Sequence, residues 1–235
     1  MNFMKFMSFS FLLAASLFAA DAGRKADDIK RIEAAATTLV EIQHAKDGGI
    51  PQDLLEKAHC VGIIPAAKRA GFLVGGQYGK GILTCRIHGT NRWSAPDMIV
   101  LEGGSFGLQI GAGETDIVMA VMNDNAERRM RNSKVEIGGD VMAAAGPLGR
   151  SVSADTNATM RAEILTWSRA RGVFAGVDLK GASLRPDNDD NAALYGRTVT
   201  PDEILSGKVP HPAQARALYA ELERYAPSKA AHTGE

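Results

Sequence analysis

Three short segments carry residue types that could do chemistry. Gly103-Gly104-Ser105-Phe106-Gly107 has the G-x-S-x-G spacing of a serine nucleophile. That motif works only on a sharp strand-to-helix turn, which lifts the hydroxyl clear of the backbone. Here Phe106, Leu108 and Ile110 alternate with Gly107 and Gln109, so the segment continues as a strand. The late histidines, His211 and His232, lie near the C-terminus with no oxyanion motif beside Ser105. Ser105 hydrolysis is therefore only an alternative reading. Gly75-Gly76-Gln77-Tyr78-Gly79-Lys80-Gly81 has the flavour of a phosphate loop. The required Gly is replaced by Val74, and Gly81 stands where Ser or Thr is needed, so a hairpin turn is expected. Asp187-Asn188-Asp189-Asp190-Asn191 places oxygens at alternate positions, as in a calcium loop. Ala192 and Thr198 occupy the positions of the obligatory Gly and Glu, which leaves helix capping. The five histidines are scattered and suggest no metal ligand set or cofactor, and no catalytic residue is assigned.

Charge is more informative. The 235 residues hold 27 Lys+Arg and 27 Asp+Glu, a neutral total that argues against a nucleic-acid partner. Neutrality fails locally. Between Glu56 and Asp97 there is no acid, while Lys57, Lys68, Arg69, Lys80, Arg86 and Arg92 all fall there. Lys68, Arg69, Lys80 and Arg92 are expected at loops or hairpin tips, where cations meet anionic headgroups at about 1 kcal/mol each. The competing reading pairs them with acids from elsewhere in the chain. Lys25, Lys30 and Arg31 add a basic face to an N-terminal amphipathic helix.

The elements that must position these residues follow from periodicity. Ile29, Ile32, Ala36, Leu39 and Gln43 form one stripe of a helix over 24–46. A short helix is expected over 52–58. Strands are expected over 60–65, 71–78, 81–87, 96–102 and 105–110, with a turn at Gly79-Lys80. Thr115 to Met122 is apolar on both faces and reads as a central strand. A helix through Arg131, a strand over 134–145 with a bulge at Gly138-Gly139, and a hairpin around Arg171-Gly172 come next. Helices then return, one capped by Asp187 or Asn188, one by Thr200-Pro201-Asp202-Glu203, and one over 211–225. Residues from Pro227 read as a disordered tail.

The order predicts an α+β class, with an antiparallel, barrel-like or strongly curved sheet flanked by N- and C-terminal helices. The composition, 45% hydrophobic and 23% charged with 25 glycines, suits one folded, turn-rich domain over 23–226. Residues 1–22 read as an export signal. Lys5 precedes the apolar run Phe6–Phe18, and Ala20-Asp21-Ala22 offers cleavage after Ala22. A periplasmic or secreted location, peripheral to membrane, is the expectation. Cys60 and Cys85 are then either a disulfide or two buried thiols.

The order of short motifs resembles the SYLF domain family, a lipid-binding module also described as the actin-binding domain of a yeast endocytic protein. The matching residues include Cys60-Val61-Gly62-Ile63-Ile64-Pro65, Trp93-Ser94-Ala95-Pro96, Gly104-Ser105-Phe106-Gly107 and Thr115-Asp116. Ala145-Gly146-Pro147-Leu148-Gly149-Arg150, Ser168-Arg169-Ala170-Arg171-Gly172 and Tyr195-Gly196 complete the series. The resemblance covers about residues 27 to 208. It implies a non-enzymatic module that binds anionic, phosphoinositide-like phospholipid, with the N-terminal amphipathic segment taking part. It also suggests a stand-alone bacterial, secreted member. A structural envelope protein acting through protein contacts is the alternative.

Overall fold

The computed structural model describes residues 3–45, 48–72, 74–90, 92–106, 111–132, 134–148, 162–170, 173–174, 179 and 181–227. The tail beyond Pro227, the segment 107–110 and the turn at Arg171-Gly172 lie outside the described residues. Helices α1 (Phe3–Gln43) and α2 (Gln52–Lys57) precede four long strands. These are β1 (Cys60–Phe72), β2 (Val74–Cys85), β3 (Asp97–Phe106) and β4 (Gly111–Val121). Helix α3 (Asp124–Asn132) follows, then β5 (Val135–Glu136), β6 (Ala143–Ala145), β7 (Ile164–Ala170), β8 (Val173–Phe174) and β9 (Ala182–Pro186). Helices α4 (Asn188–Tyr195), α5 (Pro201–Leu205) and α6 (Arg216–Tyr225) end the fold.

The strands form one sheet in the order β5-β9-β3-β2-β1-β4-β7-β6, with β8 paired to β7. Among the named strand pairs only β6–β7 is parallel. The sheet is strongly curled, as a half-barrel, with helices at both ends of the chain. The α+β expectation holds.

Strand alternation sorts the core onto two faces. Val61, Ile63, Ile82, Val118, Ala120 and Leu165 face the stripe of α1 (Ile32, Ala35, Leu39, Ile42) and Leu218 and Leu222 of α6. Ile64, Leu83, Ile99, Leu101, Ile117 and Met119 face the other way and meet Ala126 and Met130 of α3. Both faces of β4 are buried from Ile117 to Val121, where it lies between β1 and β7 under cover on each side. That is why the run 117–121 is apolar without alternation, whereas Glu114 and Asp116 lie in the less covered first half of the strand.

The structure corrects one hairpin. No turn occurs at Gly79-Lys80, which lie inside continuous β2, and the β1–β2 pairing instead runs out to Phe72 opposite Val74. The register of β1 shifts between Ile63 and Lys68, on both its neighbours. At this bulge Ala66 adopts φ 48°, a left-handed conformation for a non-glycine residue. Its N–H donates to Asp116 Oδ1 at 2.9 Å. The bulge presses β1 onto β2. A Cβ on Gly79 would meet Ile64 and Ala67, and one on Gly81 would meet the Ile63 carbonyl. The glycines that read as a turn are therefore clearance for a bulge next door.

Two further differences are local. The region 134–145 splits into β5 and β6, with a turn through Gly138 (φ 89°) rather than a bulge. Strand β9, unanticipated in the sequence, pairs with β3 and β5. Helix signals fared better. Asp187 caps α4, and Thr200 and Glu203 form a complete capping box on α5.

Candidate functional site

The seven cations singled out by sequence separate into distinct environments. Lys80 comes from mid-β2 and Arg31 from α1, and both reach the first turn of α4. Lys80 Nζ lies 2.7 Å from both Asp187 Oδ2 and Asp190 Oδ2. Arg31 Nη1 lies 2.9 Å from Asp190 Oδ2 and 2.8 Å from Asp28 Oδ1. Burial opposes the charge on Asp190, but the Lys80 and Arg31 contacts hold its carboxyl below the usual range. Burial and the nearby Asp190 instead raise Asp28 to about 7. The acid-rich segment once comparable to a calcium loop is thus the anionic half of an internal ion network. Lys80 and Arg31 are not surface cations, which corrects the expectation of a hairpin-tip Lys80.

Lys68 is exposed towards the β1–β2 turn, and Arg69 Nη2 donates to Gln77 Oε1 at 3.1 Å. Arg92 is exposed in the β2–β3 connection, at the opposite end of the strands. Lys68 pairs across β1–β2 with Tyr78. Eight residues of extended chain separate Tyr78 from Arg86, roughly 25 Å at ~3.3 Å per residue. The cations of the acid-free stretch therefore do not form one patch.

Arg86 is structural. Its guanidinium donates to the carbonyl oxygens of Ala58 at 3.0 Å and Ala226 at 2.8 Å. It also lies over the Trp93 ring at 4.2 Å. The next residues are latched by the C-terminal helices. Tyr195 donates to Pro96 O at 2.5 Å, Tyr219 donates to Ser94 O at 2.8 Å, and His211 stacks on Tyr219. The segment Trp93-Ser94-Ala95-Pro96 is a buried docking strip, not a reactive loop. Ser105 lies within β3, registered to Gly75, rather than on a strand-to-helix elbow.

An exposed basic site does exist, and it forms between α1 and α4. A groove of about 600 Å³ is lined by Arg24, Lys25 and Arg197, with Asp21, Asp189 and Thr198 at its edges. Arg24 pairs with the exposed Asp189 at 3.2 Å, and Arg197 with Glu203 at 3.5 Å. Such exposed pairs are weak and exchange readily for a stronger anion. Lys25 was anticipated, and Lys30 sits about one and a half turns further along α1, exposed and 3.2 Å from Asp27. Arg24 and Arg197 were missed, because Arg197 reaches the groove only after α4 ends at Gly196 (φ 68°). Inside the fold, by contrast, the void bordered by Leu83, Ile99, Met130 and Leu184 holds about 10 Å³, too little for an acyl chain. Among the described residues, no helix is long and apolar enough to cross a membrane.

A family model described as Ysc84, Las17-binding protein actin regulator, matches residues 102–225, more than half of the chain. The chain belongs to the Ysc84 family. It is 33% identical over 190 residues to SH3 domain-containing YSC84-like protein 1 of Xenopus laevis, covering 80% of this chain and 56% of that protein. The human protein of the same name is 33% identical over 189 residues, with 80% and 55% covered. LAS seventeen-binding protein 3 of Saccharomyces cerevisiae is 35% identical over 180 residues, with 75% and 39% covered. The chain thus spans about half the length, or less, of these Ysc84-family relatives. The SYLF resemblance read from the motifs agrees with this membership, and the motifs now have structural roles. Asp116 holds the bulge, the Trp-Ser-Ala-Pro strip docks the C-terminal helices, and Tyr195-Gly196 ends α4.

Proposed function

We propose that this Ysc84-family chain is a non-enzymatic module that docks on anionic phospholipid surfaces. The observation that supports it best is the open groove of Arg24, Lys25 and Arg197, which has room for a phosphorylated headgroup. Lys30, exposed on another face of the same helix, and Lys68 and Arg92, at the two ends of the sheet, contribute longer-range attraction. Export fits this reading. Cleavage after Ala22 would remove Asp21 and Ala22 from the groove's lining and leave a new α-amino group next to Arg24, making the groove more positive. The protein would then act outside the cytoplasm, at a membrane periphery.

The test is sedimentation of the 23–235 chain with liposomes of phosphatidylcholine alone or with phosphatidylglycerol or a phosphoinositide. Binding confined to the anionic vesicles and weakened by salt is expected. Equal binding to neutral vesicles, or none to any, would overturn the reading. A second reading is favoured by the relatives' names. A chain similar to Las17-binding proteins would use the same exposed surface for a protein partner. Capture of a protein partner by a chain that ignores all vesicles would select it.

A further inference from the structure

The junction of β1, β4 and α3 gathers donors that sequence spacing does not show. His59 immediately precedes β1. Its N–H donates to Val121 O at 2.7 Å, and its carbonyl accepts from Arg86 N at 2.8 Å. Its backbone is therefore clamped between the β4 and β2 sides. Strand β4 ends at Val121, and Asn123 Oδ1 caps the start of α3 by accepting from Ala126 N at 2.9 Å. The cap sets Asp124 and Glu127, three residues apart, on the helix face that looks at His59.

The resulting distances are short. His59 Nδ1 is 3.2 Å from Asp124 Oδ1 and 3.0 Å from Glu127 Oε2. One donor atom from each of the three residues lies within 4.8 Å of the others. A tetrahedral zinc-type ion with bonds of about 2.0–2.1 Å needs ligand-to-ligand edges of roughly 3.3 Å. Glu127 is 2% exposed, and its other oxygen is already held. Oε1 accepts from Arg131 Nη2 at 2.6 Å and lies 3.2 Å from His88 Nε2. Those contacts orient the carboxylate so that Oε2 faces His59, as outer partners orient metal ligands. Arg131 also lies 3.8 Å from Asp202, which offsets its positive charge. The Arg86 guanidinium is held by the carbonyl oxygens of Ala58 and Ala226, and its charge favours the neutral, ligating form of His59.

We propose that His59, Asp124 and Glu127 bind a divalent transition-metal ion of the zinc class. One imidazole nitrogen with two carboxylates suits that class better than magnesium or calcium, which prefer all-oxygen shells. Asp124 is 65% exposed, so the fourth position opens to solvent and takes water. The ion ties the start of β1 to the first turn of α3. His88 and Arg131 act as positioning residues through Glu127.

The experiment uses untagged, chelator-stripped full chain with its disulfide intact. Zinc is expected to raise the thermal midpoint, whereas magnesium and calcium are not. Cobalt is expected to give the intense visible absorption of a low-coordinate ion at one equivalent. Asp124→Asn alters an exposed side chain and keeps the fold, yet should weaken zinc affinity about tenfold or more. His59→Asn should abolish the cobalt spectrum. Zinc that leaves the thermal midpoint unmoved would overturn the proposal. So would zinc affinity or a cobalt spectrum unchanged in both variants, since the ion would then sit elsewhere.

Discussion

Lys80 Nζ lies 2.7 Å from Asp190 Oδ2, across 110 residues of chain. This contact joins mid-sheet to α4, and through Arg31 it reaches α1. A cation that reads as surface charge is thus a fastener between three elements. Lys80→Met should therefore cost about 2–4 kcal/mol of stability in urea denaturation, because Asp187 and Asp190 lose a half-buried partner. Liposome affinity per folded molecule should not change. Lys25→Glu with Arg197→Glu should do the reverse, reducing anionic-liposome binding about tenfold or more while leaving the urea midpoint nearly unmoved. Loss of vesicle binding in the folded Lys80 variant would move the docking site to β2.

The bulge offers a cleaner stability test. Ala66 sits at φ 48°, where a Cβ costs about 1 kcal/mol or more. Ala66→Gly removes that cost and loses some unfolded-state restriction. A net gain of about 0.5 kcal/mol is expected by thermal or urea unfolding. Asp116→Ala, which strips the acceptor from the Ala66 N–H, should cost about 1–2 kcal/mol. A loss of stability in Ala66→Gly would show that the left-handed turn carries no strain.

Acid should stabilise the fold over a defined window. Asp97 is buried, and burial raises its carboxyl from 3.8 to about 7, although Asn191 donates to it at 2.6 Å. Between about pH 4 and pH 7 the folded chain therefore binds a proton that the unfolded chain has released. Stability then falls as pH rises through that window and is flat above it, for this group. Asp28, also raised to about 7, acts in the same direction. Asp97→Asn should flatten the dependence, measured as urea midpoints at pH 4.5 and 7.5. Parallel profiles for the two proteins would assign the dependence to other groups.

Cys60 and Cys85 face each other in register on β1 and β2, and they are bonded. The sequence left this pairing open against two buried thiols. Closing a loop of 25 residues contributes about 3 kcal/mol through the unfolded chain. Denaturation with and without a dithiol reductant should show a difference of that order. Cys60→Ala/Cys85→Ala should match the reduced protein.

Much of the fold was legible because its signals are local. The α1 stripe of Ile32, Ala36 and Leu39, the doubly apolar β4 and the Thr200 capping box each announce themselves within one turn or strand. The misread hairpin shows where locality ends. Gly79 and Gly81 are small because Ile64 and Ala67 bulge towards them from another strand, and nothing in β2 itself records that. The candidate groove was legible in part for the same reason. Lys25 and Lys30 are exposed on a helix whose buried stripe predicts their outward face. Arg31 and Lys80 read as open surface charge because their acidic partners on α4 lie more than a hundred residues away. Arg24 and Arg197 meet only once α1 and α4 pack together.

The Cys60–Cys85 bond also changes what the chain is as a topological object. Residues 60 to 85 form a closed covalent ring, with the β1–β2 turn at one pole and the sulfurs at the other. A single cut at that turn opens the ring without releasing a fragment. A proteolytically nicked protein therefore migrates as one molecule until it is reduced, with β1 and β2 still side by side at the sheet's centre.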